Sequence, residues 1–540
     1  MAGTPDQKAR GAFFTPAAIA DYLAAWAVRS KSDTVLEPSC GEAIFLHAAA
    51  DTLVLHGAQA DLSSNLFGVE LHAASAENAE AMLSERGFRA QIEVSDFFEH
   101  KPDRTFDVIL GNPPFVRYQD FTGLARARSM EAALAQGVRL SGLASSWAAF
   151  VVKAAQHLSD DGRMALVLPA ELLSVGYAAE IRSFLLRRFK SIKLIAFEER
   201  VFPGVLEDVV LLLAEGRGSA DRFELHQTKN AETLAKDAAK WVSYTPAVGG
   251  KWTPALVAAD AFERYEDLCQ NACETLSDWG RTYLGSVTGN NGYFAIARAE
   301  VAERGIPAKD LLPISPPGTR HLRGLTFNRK AWEATAVAGS KSYLFFPADG
   351  ELSQAALDYI AEGQGAGVAK AYKCRVRDPW WRVPLVETPD ILLTYMNHDR
   401  PRLIANEAKA RILNSLYGVK LKEERRELGM KLLPLACLNS VTLLGAEVVG
   451  RAYGGGLLKL EPREADRLPV PSLEQIKGQA EALKAVAPQL NSALRNNKLE
   501  EACKLVDPIL FPNVTSEDWD VLRMAREMLF QRRRARGGRG

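Results

Sequence analysis

The run Phe106-Asp107-Val108-Ile109-Leu110-Gly111-Asn112-Pro113-Pro114-Phe115 decides how the first half of this chain is read. Phe106 to Leu110 is a short apolar run of the kind that forms a buried strand. Two prolines directly after it prevent the strand from continuing and fix a rigid turn. Such a turn presents the Asn112 amide oxygen and a backbone carbonyl as two acceptors beside the aromatic face of Phe115. Two acceptors next to a flat ring suit a planar amino group, which offers two N–H donors and a π-face.

Outward from that turn, residues 11 to about 230 alternate strand and helix. Strands are predicted at 34–36, 66–70, 90–94, 106–110 and 163–168, with further apolar runs at 192–197 and 209–214. Helices are predicted at 43–55, 72–85, 146–158 and 171–188. This alternation implies a parallel sheet covered on both faces, with ligands at the carboxyl ends of the strands. The polar residues at successive strand ends are Glu37, Glu70, Asp96 and Asn112, so all four are expected along one rim. An acid ending the second strand suits a ribose diol. The first turn, Glu37-Pro38-Ser39-Cys40-Gly41-Glu42, carries one glycine and two acids, which favours a nucleoside cofactor without phosphates.

At 540 residues the chain is too long for a single core. The apolar fraction is 47% and the charged fraction 24%, ordinary for a globular protein. Lys plus Arg equals Asp plus Glu, 66 each, so only local clusters can speak for an acidic partner. No apolar run reaches the roughly 18–20 residues of a membrane span, and the N-terminus lacks a secretory apolar segment. Six cysteines (40, 269, 273, 374, 437, 503) form no CxxC pair and no metal set. A reducing cytoplasm fits that usage, and no metal is expected.

Past about 245 the alternation fades. Residues 252–276 read as helical, and 284–294 as strand, Gly/Asn turn, strand. Basic residues then mix with aromatics: Arg320 and Arg323 in one segment; Lys370, Tyr372, Lys373, Arg375, Arg377, Trp380, Trp381 and Arg382 in another. Five bases against one acid, Asp378, between 370 and 382 suit phosphate contact and guanine-edge reading. Residues 472–530 read as helices. The tail 531–540, rich in Arg and Gly, reads as disordered and able to add salt-sensitive nucleic-acid affinity.

Together, Gly11-Ala12-Phe13-Phe14-Thr15-Pro16, Val35-Leu36-Glu37-Pro38-Ser39-Cys40-Gly41, Gly68-Val69-Glu70, Asp96-Phe97 and the NPPF turn resemble S-adenosylmethionine-dependent DNA adenine-N6 methyltransferases. Their order resembles the gamma class typified by the Taq methylase. The stretch from Arg451 to Leu460 and the Leu468-Pro469-Val470-Pro471 run are similar to the end of that class's target-recognition region. The resemblance implies a Rossmann-like class I methyltransferase domain with a mostly parallel sheet at 1–245 and a mixed α+β target-recognition domain at 246–471. A helical segment at 472–530 and the tail at 531–540 follow.

Carried over by position, the resemblance implies that Thr15, Pro16, Glu37, Cys40 and Gly41 border the methionine end of the cofactor. Glu70 takes the ribose hydroxyls, and Asp96 with Phe97 takes the cofactor adenine. Asn112 and the Pro113 carbonyl hold the target amino group, and Phe115 stacks on the flipped base with Phe202 on its other face. Arg320, Arg323, Lys373, Arg375, Arg377, Trp380 and Trp381 are the expected DNA contacts.

Double-stranded DNA is the implied partner. With no PD…(D/E)xK-type segment in the chain, a separately encoded restriction endonuclease acting without a stable complex is expected. The implied location is the bacterial cytoplasm, at the nucleoid. NPPF also occurs in enzymes that methylate RNA bases or protein glutamine, and a catalytically silent DNA-binding protein is a third reading.

Overall fold

The computed structural model describes residues 15–101, 104–199, 201–202, 208–347, 350–453 and 455–537. The chain divides into two compact units. One runs through Val257 and takes in the end of the last helix from Arg532. The other holds Ala258–Tyr453 and Leu457–Gln531, so the helices after 472 belong to it.

The first unit is built on one nine-stranded sheet. Its strands are β1 Val35–Glu37, β2 Leu66–Glu70, β3 Gln91–Val94, β4 Phe106–Gly111, β5 Leu158–Pro169, β6 Phe189–Phe197, β7 Val209–Arg217, β8 Phe223–Thr228 and β9 Val242–Tyr244. They lie in the order β3-β2-β1-β4-β5-β7-β6-β8-β9. The left side, β3 to β5, is parallel throughout, and β7 inserts antiparallel between β5 and β6. The order reverses direction between β1 and β4, which is where a doubly wound sheet opens a ligand crevice. Leu166, Val167, Leu168 and Leu211, Leu212, Leu213 have no exposed surface, as central strands covered on both faces require. Helices α1 Ala17–Ala27 and α2 Ile44–Leu55 join the apolar residues of β1, β2 and β7 in one buried cluster.

The helix predicted over 171–188 is broken. A turn at Glu171–Ser174 and a 3-10 turn at Gly176–Ala178 precede α-helix Ala179–Arg188. Arg182 fills the break, donating to the Leu172 and Val175 carbonyls that the interruption frees. Burial pulls its pKa down to about 10.

The second unit is mixed α+β. A four-stranded antiparallel sheet joins Gly280–Leu284, Tyr417–Leu421, Ile391–Leu393 and Leu403–Ala405. Smaller antiparallel sheets include Arg451–Tyr453 against Leu457–Lys459. Helices Ala480–Arg495 and Leu499–Leu510 complete its core through Leu483, Leu490, Val506 and Leu510. The buried Asp507 carboxylate accepts the Ser440 N–H and hydroxyl and pairs with Arg523.

Three local expectations are corrected here. The strand-turn-strand over 284–294 is absent: a strand ends at Leu284, and Asn291–Phe294 is a short helix. The Asn290 side chain accepts the Tyr293 N–H, and this local cap competes with a second strand. Residues 252–276 are not one helix but a 3-10 turn at Thr253–Leu256, helix Ala259–Ala272 and strand Cys273–Thr275. The tail is not disordered through its length: the last helix runs Ser516–Gly537, with Arg532 and Arg533 buried and Arg532 donating to Gln227. Among the described residues no single helix is long and apolar enough to cross a membrane. Helices Glu423–Ala436 and Ser440–Val449 pass the length and composition test only as a pair bent by 89°.

Candidate active site

The carboxyl ends of β3, β2, β1 and β4 lie side by side, and their turns carry the polar residues. Glu37 ends β1 with 2% of its surface exposed, and its carboxylate accepts the Leu46 N–H at 3.1 Å. Burial pushes its pKa well above the carboxylate range, and the nearby Glu70 adds to the rise. Cys40 sits behind the same turn, close enough to Gly68 that a Cβ there would meet its Sγ at 3.0 Å. Burial raises the Cys40 thiol, so it is a neutral packing group. Gly41 has φ +50°, and its N–H donates to Glu70 Oε2 at 2.9 Å. Glu70 Oε1 accepts the His72 N–H at 3.0 Å. One carboxylate thus ties the end of β2 to the loop after β1.

Asp96 follows β3. Its Oδ1 accepts the Phe98 N–H at 3.0 Å, and its Oδ2 lies 3.4 Å from Arg128, which also pairs with Glu99. Phe97, expected beside the cofactor's adenine, is packed into the unit. It is 3% exposed and stacks on Phe150, with ring centroids 5.5 Å apart and 17° between planes. Phe98 is the half-exposed ring, edge-on to Phe150 at 4.7 Å.

Beneath Phe97 lies His157, with no exposed surface. Burial first, then Lys153 and His100, pull its pKa down to about 3. The folded pKa is below the unfolded value near 6.5, so this neutral imidazole stabilises the fold fully above pH 6.5. That contribution is lost as pH falls toward 3. His157→Phe should remove up to about 1.4 kcal/mol per pH unit of slope below pH 6. Urea melts at stepped pH check this; an unchanged slope would reject it.

The NPPF turn leaves β4 beside the β1 turn: a Cβ on Gly111 would touch Pro38 at 3.5 Å. The Asn112 Nδ2 donates to Thr15 Oγ1 at 3.2 Å. Thr15 is 5% exposed and Pro16 caps α1, so this segment passes directly over the turn. Residues 11–14 lie outside the described residues, as do 203–207. Pro113 is buried and Phe115 half-buried. Phe115 packs against the large buried cluster of this unit, to which Phe202, 4% exposed, also belongs. Reading by motif missed Ser146, whose hydroxyl accepts the Val116 N–H at 2.9 Å and donates to the Pro114 carbonyl. Nothing in its local sequence marks it, since its partners lie about thirty positions away.

In the second unit the expected DNA contacts divide. Arg320, Arg323, Lys373 and Arg375 are exposed, the last two beside the exposed ring of Tyr372. Arg377 is instead turned inward, donating to the Val287 and Thr288 carbonyls. Trp380 and Trp381 are partly buried against Phe294, Phe345 and Tyr293. Arg377 thus supplies donors to carbonyls of the 285–290 loop, and the two half-buried rings pack on the core beneath it.

Residues 2–238 match the family model described as N-6 DNA Methylase, and residues 249–511 match that of the C-terminal domain of the type II methyltransferase M.Eco57I. The type II methyltransferase M.AccI of Acinetobacter calcoaceticus is 24% identical over 84% of this chain and 84% of its own length. M.XamI of Xanthomonas campestris pv. amaranthicola is 26% identical over 86% of each. Among solved structures, the type IIL restriction-modification enzyme MmeI in complex with DNA aligns with TM-score 0.60. It is 13% identical, over 95% of this chain and 75% of that one, a likeness of fold. Strand order, the NPPF turn and the matched sequence agree: the first unit is similar to the N-6 DNA Methylase family, and the chain is an adenine-specific DNA methyltransferase.

Proposed function

We propose that this chain uses S-adenosylmethionine to methylate the exocyclic N6 of a flipped adenine within one short duplex sequence. On this reading it is the modification half of a restriction–modification system whose nuclease is a separate chain without stable association. The observation that carries the reading is the Asn112 amide, held by Thr15 at the end of β4 beside Phe115. The motif order, cofactor turns before NPPF and the reader after both, supports the gamma class.

The rim fits a nucleoside cofactor lacking phosphates. The β1 turn bends through a single glycine, Gly41 at φ +50°, whose N–H is taken by the Glu70 carboxylate rather than left for a phosphate. S-adenosylmethionine, when bound, supplies an electrophilic methyl on a sulfonium. Glu70 would hold the ribose and Asp96 the cofactor's adenine amino group, with Phe98 beside that ring. Thr15, Pro16, Glu37, Cys40 and Gly41 would wall the methionine end.

An adenine in a duplex cannot reach a methyl donor and must leave the stack. Its N6 lone pair is delocalised into the ring and is a poor nucleophile. Asn112 Oδ1 and the Pro113 carbonyl, accepting both N6 hydrogens, favour a pyramidal nitrogen and stabilise the positive charge that develops on it. Phe115 and Phe202 would hold the ring for in-line attack; as the N6–CH3 bond forms the donor's S–CH3 bond breaks to leave a neutral thioether, and N6 then loses one proton to solvent water.

Arg320, Arg323, Lys373 and Arg375 are the expected DNA contacts that stay exposed for phosphate contact, with Lys370 exposed beside them. Lys373→Ala should weaken DNA binding and reduce the salt slope by about 0.9 without changing thermal stability. Arg377→Ala should instead cost about 2 kcal/mol of stability by stripping two carbonyls of their donor. Salt-titrated binding and thermal melts separate the two; equal effects on both would reject the division.

The whole reading is tested with labelled S-adenosylmethionine and unmethylated bacterial DNA, with mass spectrometry of the modified base and long-read mapping of its context. N6-methyladenine in one short motif is the expected result. Label on RNA or protein, or on cytosine, would overturn the substrate, and no transfer to any polymer would overturn the activity.

A further inference from the structure

The Ser146 side chain makes an unusual connection. Its single Oγ accepts the Val116 N–H at 2.9 Å and donates to the Pro114 carbonyl, while its own N–H donates to the Val116 carbonyl at 3.0 Å. The Pro114 carbonyl belongs to the peptide plane before Phe115, and the Val116 N–H belongs to the plane after it. One oxygen therefore pins both planes that flank Phe115. With both fixed, the φ and ψ of Phe115 are fixed, and so is the direction in which its Cβ leaves the chain.

The anchor is itself rigid. Ser146 is 2% exposed and opens helix Ser146–Gln156, whose first turn is tied down next door. The buried Trp147 donates its Nε1 proton to the Tyr177 hydroxyl at 3.0 Å, and that hydroxyl donates to Glu171 in the turn after β5. The loop after β4 is thus referenced to the loop after the neighbouring strand β5, rather than to its own residues alone.

We infer that Ser146 is a positioning residue for methyl transfer: its hydroxyl aims the Phe115 ring at the target base by clamping the backbone on both sides of it. This rests on the proposed function, because Phe115 matters only if a flipped base meets it. Helix 146–156 buries an almost continuous apolar surface that needs no hydroxyl at this position. A packing role alone would be served by alanine.

The test is a double-mutant cycle with Phe115→Leu, read by single-turnover methylation of a duplex carrying the site. S-adenosylmethionine affinity and thermal midpoint are measured on every variant. Ser146→Ala is expected to slow transfer about 10- to 100-fold, as misplacement of a reacting group does, with cofactor affinity within about twofold of wild type. In the Phe115→Leu background the same change should cost less than about threefold, since the ring it aims is gone. Should Ser146→Ala fail to fold, the near-isosteric Ser146→Cys, a much weaker hydrogen-bonding group, goes through the same cycle. A full-sized loss in both backgrounds, or wild-type rate in the single variant, overturns the inference. A wild-type chain that binds cofactor but methylates no adenine overturns the proposed function instead.

Discussion

Asn112→Ala lowers the single-turnover rate of methyl transfer by about 10²–10³-fold, about 2.7–4 kcal/mol of transition-state stabilisation, by analogy with removing one preorganised oxyanion donor elsewhere. Cofactor affinity should stay within a few-fold, because the proposed ribose and adenine contacts, Glu70 and Asp96, sit at the end of β2 and in the turn after β3 rather than on the β4 turn. The loss concentrates in rate because the amide oxygen is worth most as N6 turns pyramidal and charge develops there. An interaction stronger in the transition state than in the ground state changes kcat rather than binding. Thr15 refines the expectation. By accepting the Nδ2–H at 3.2 Å it keeps the amide nitrogen toward itself and leaves the oxygen for the base. Thr15→Val removes that preference, and an amide free to rotate should cost about tenfold in rate. Rapid-quench kinetics at saturating cofactor decide both. Near-wild-type transfer by the Asn112→Ala variant would remove this residue from the chemistry.

Where strands lie was legible because burial writes itself into short apolar runs. β1, β2 and β4 sit within a residue or two of their expected bounds, and their polar end residues do share one rim. The NPPF turn announced itself because two prolines allow few backbone paths. What escaped was whatever depends on partners distant in sequence. Phe97 and Phe98 are chemically equivalent in a pattern, and only the packing of Phe150 and His157 decides which turns inward. Arg377 looks like its neighbours Lys373 and Arg375 until the Val287 and Thr288 carbonyls, about ninety positions away, claim its guanidinium. Ser146 is a serine at a helix start like many others, and its role comes from a turn thirty residues earlier. Alternation and composition report which face is wet, not which specific group waits there.

Glu70→Ala should act on the other side of the reaction, raising the dissociation constant for S-adenosylmethionine by about 100-fold or more. Two hydrogen bonds from ribose hydroxyls to a carboxylate are worth about 1.5–3 kcal/mol each. The carboxylate is 7% exposed and already accepts the Gly41 and His72 N–H groups, one on each oxygen. Each oxygen keeps further lone-pair capacity, so holding the loop and holding a diol are compatible tasks. Removing the side chain therefore does two things: it takes away the ribose acceptors, and it releases the β1 turn from β2. The second effect should appear as a stability loss of about 2 kcal/mol without cofactor. Glu70→Gln separates them poorly, because its amide nitrogen must face one of two backbone donors, and it should bind nearly as weakly as alanine. Calorimetric titration gives the affinity, and a cofactor series in the transfer assay gives the rate at saturation. If the rim is correctly read, the Glu70→Ala rate recovers at high cofactor while the Asn112→Ala rate does not. Wild-type affinity in Glu70→Ala would mean the ribose lies elsewhere, and with it the assignment of the whole β1–β3 edge.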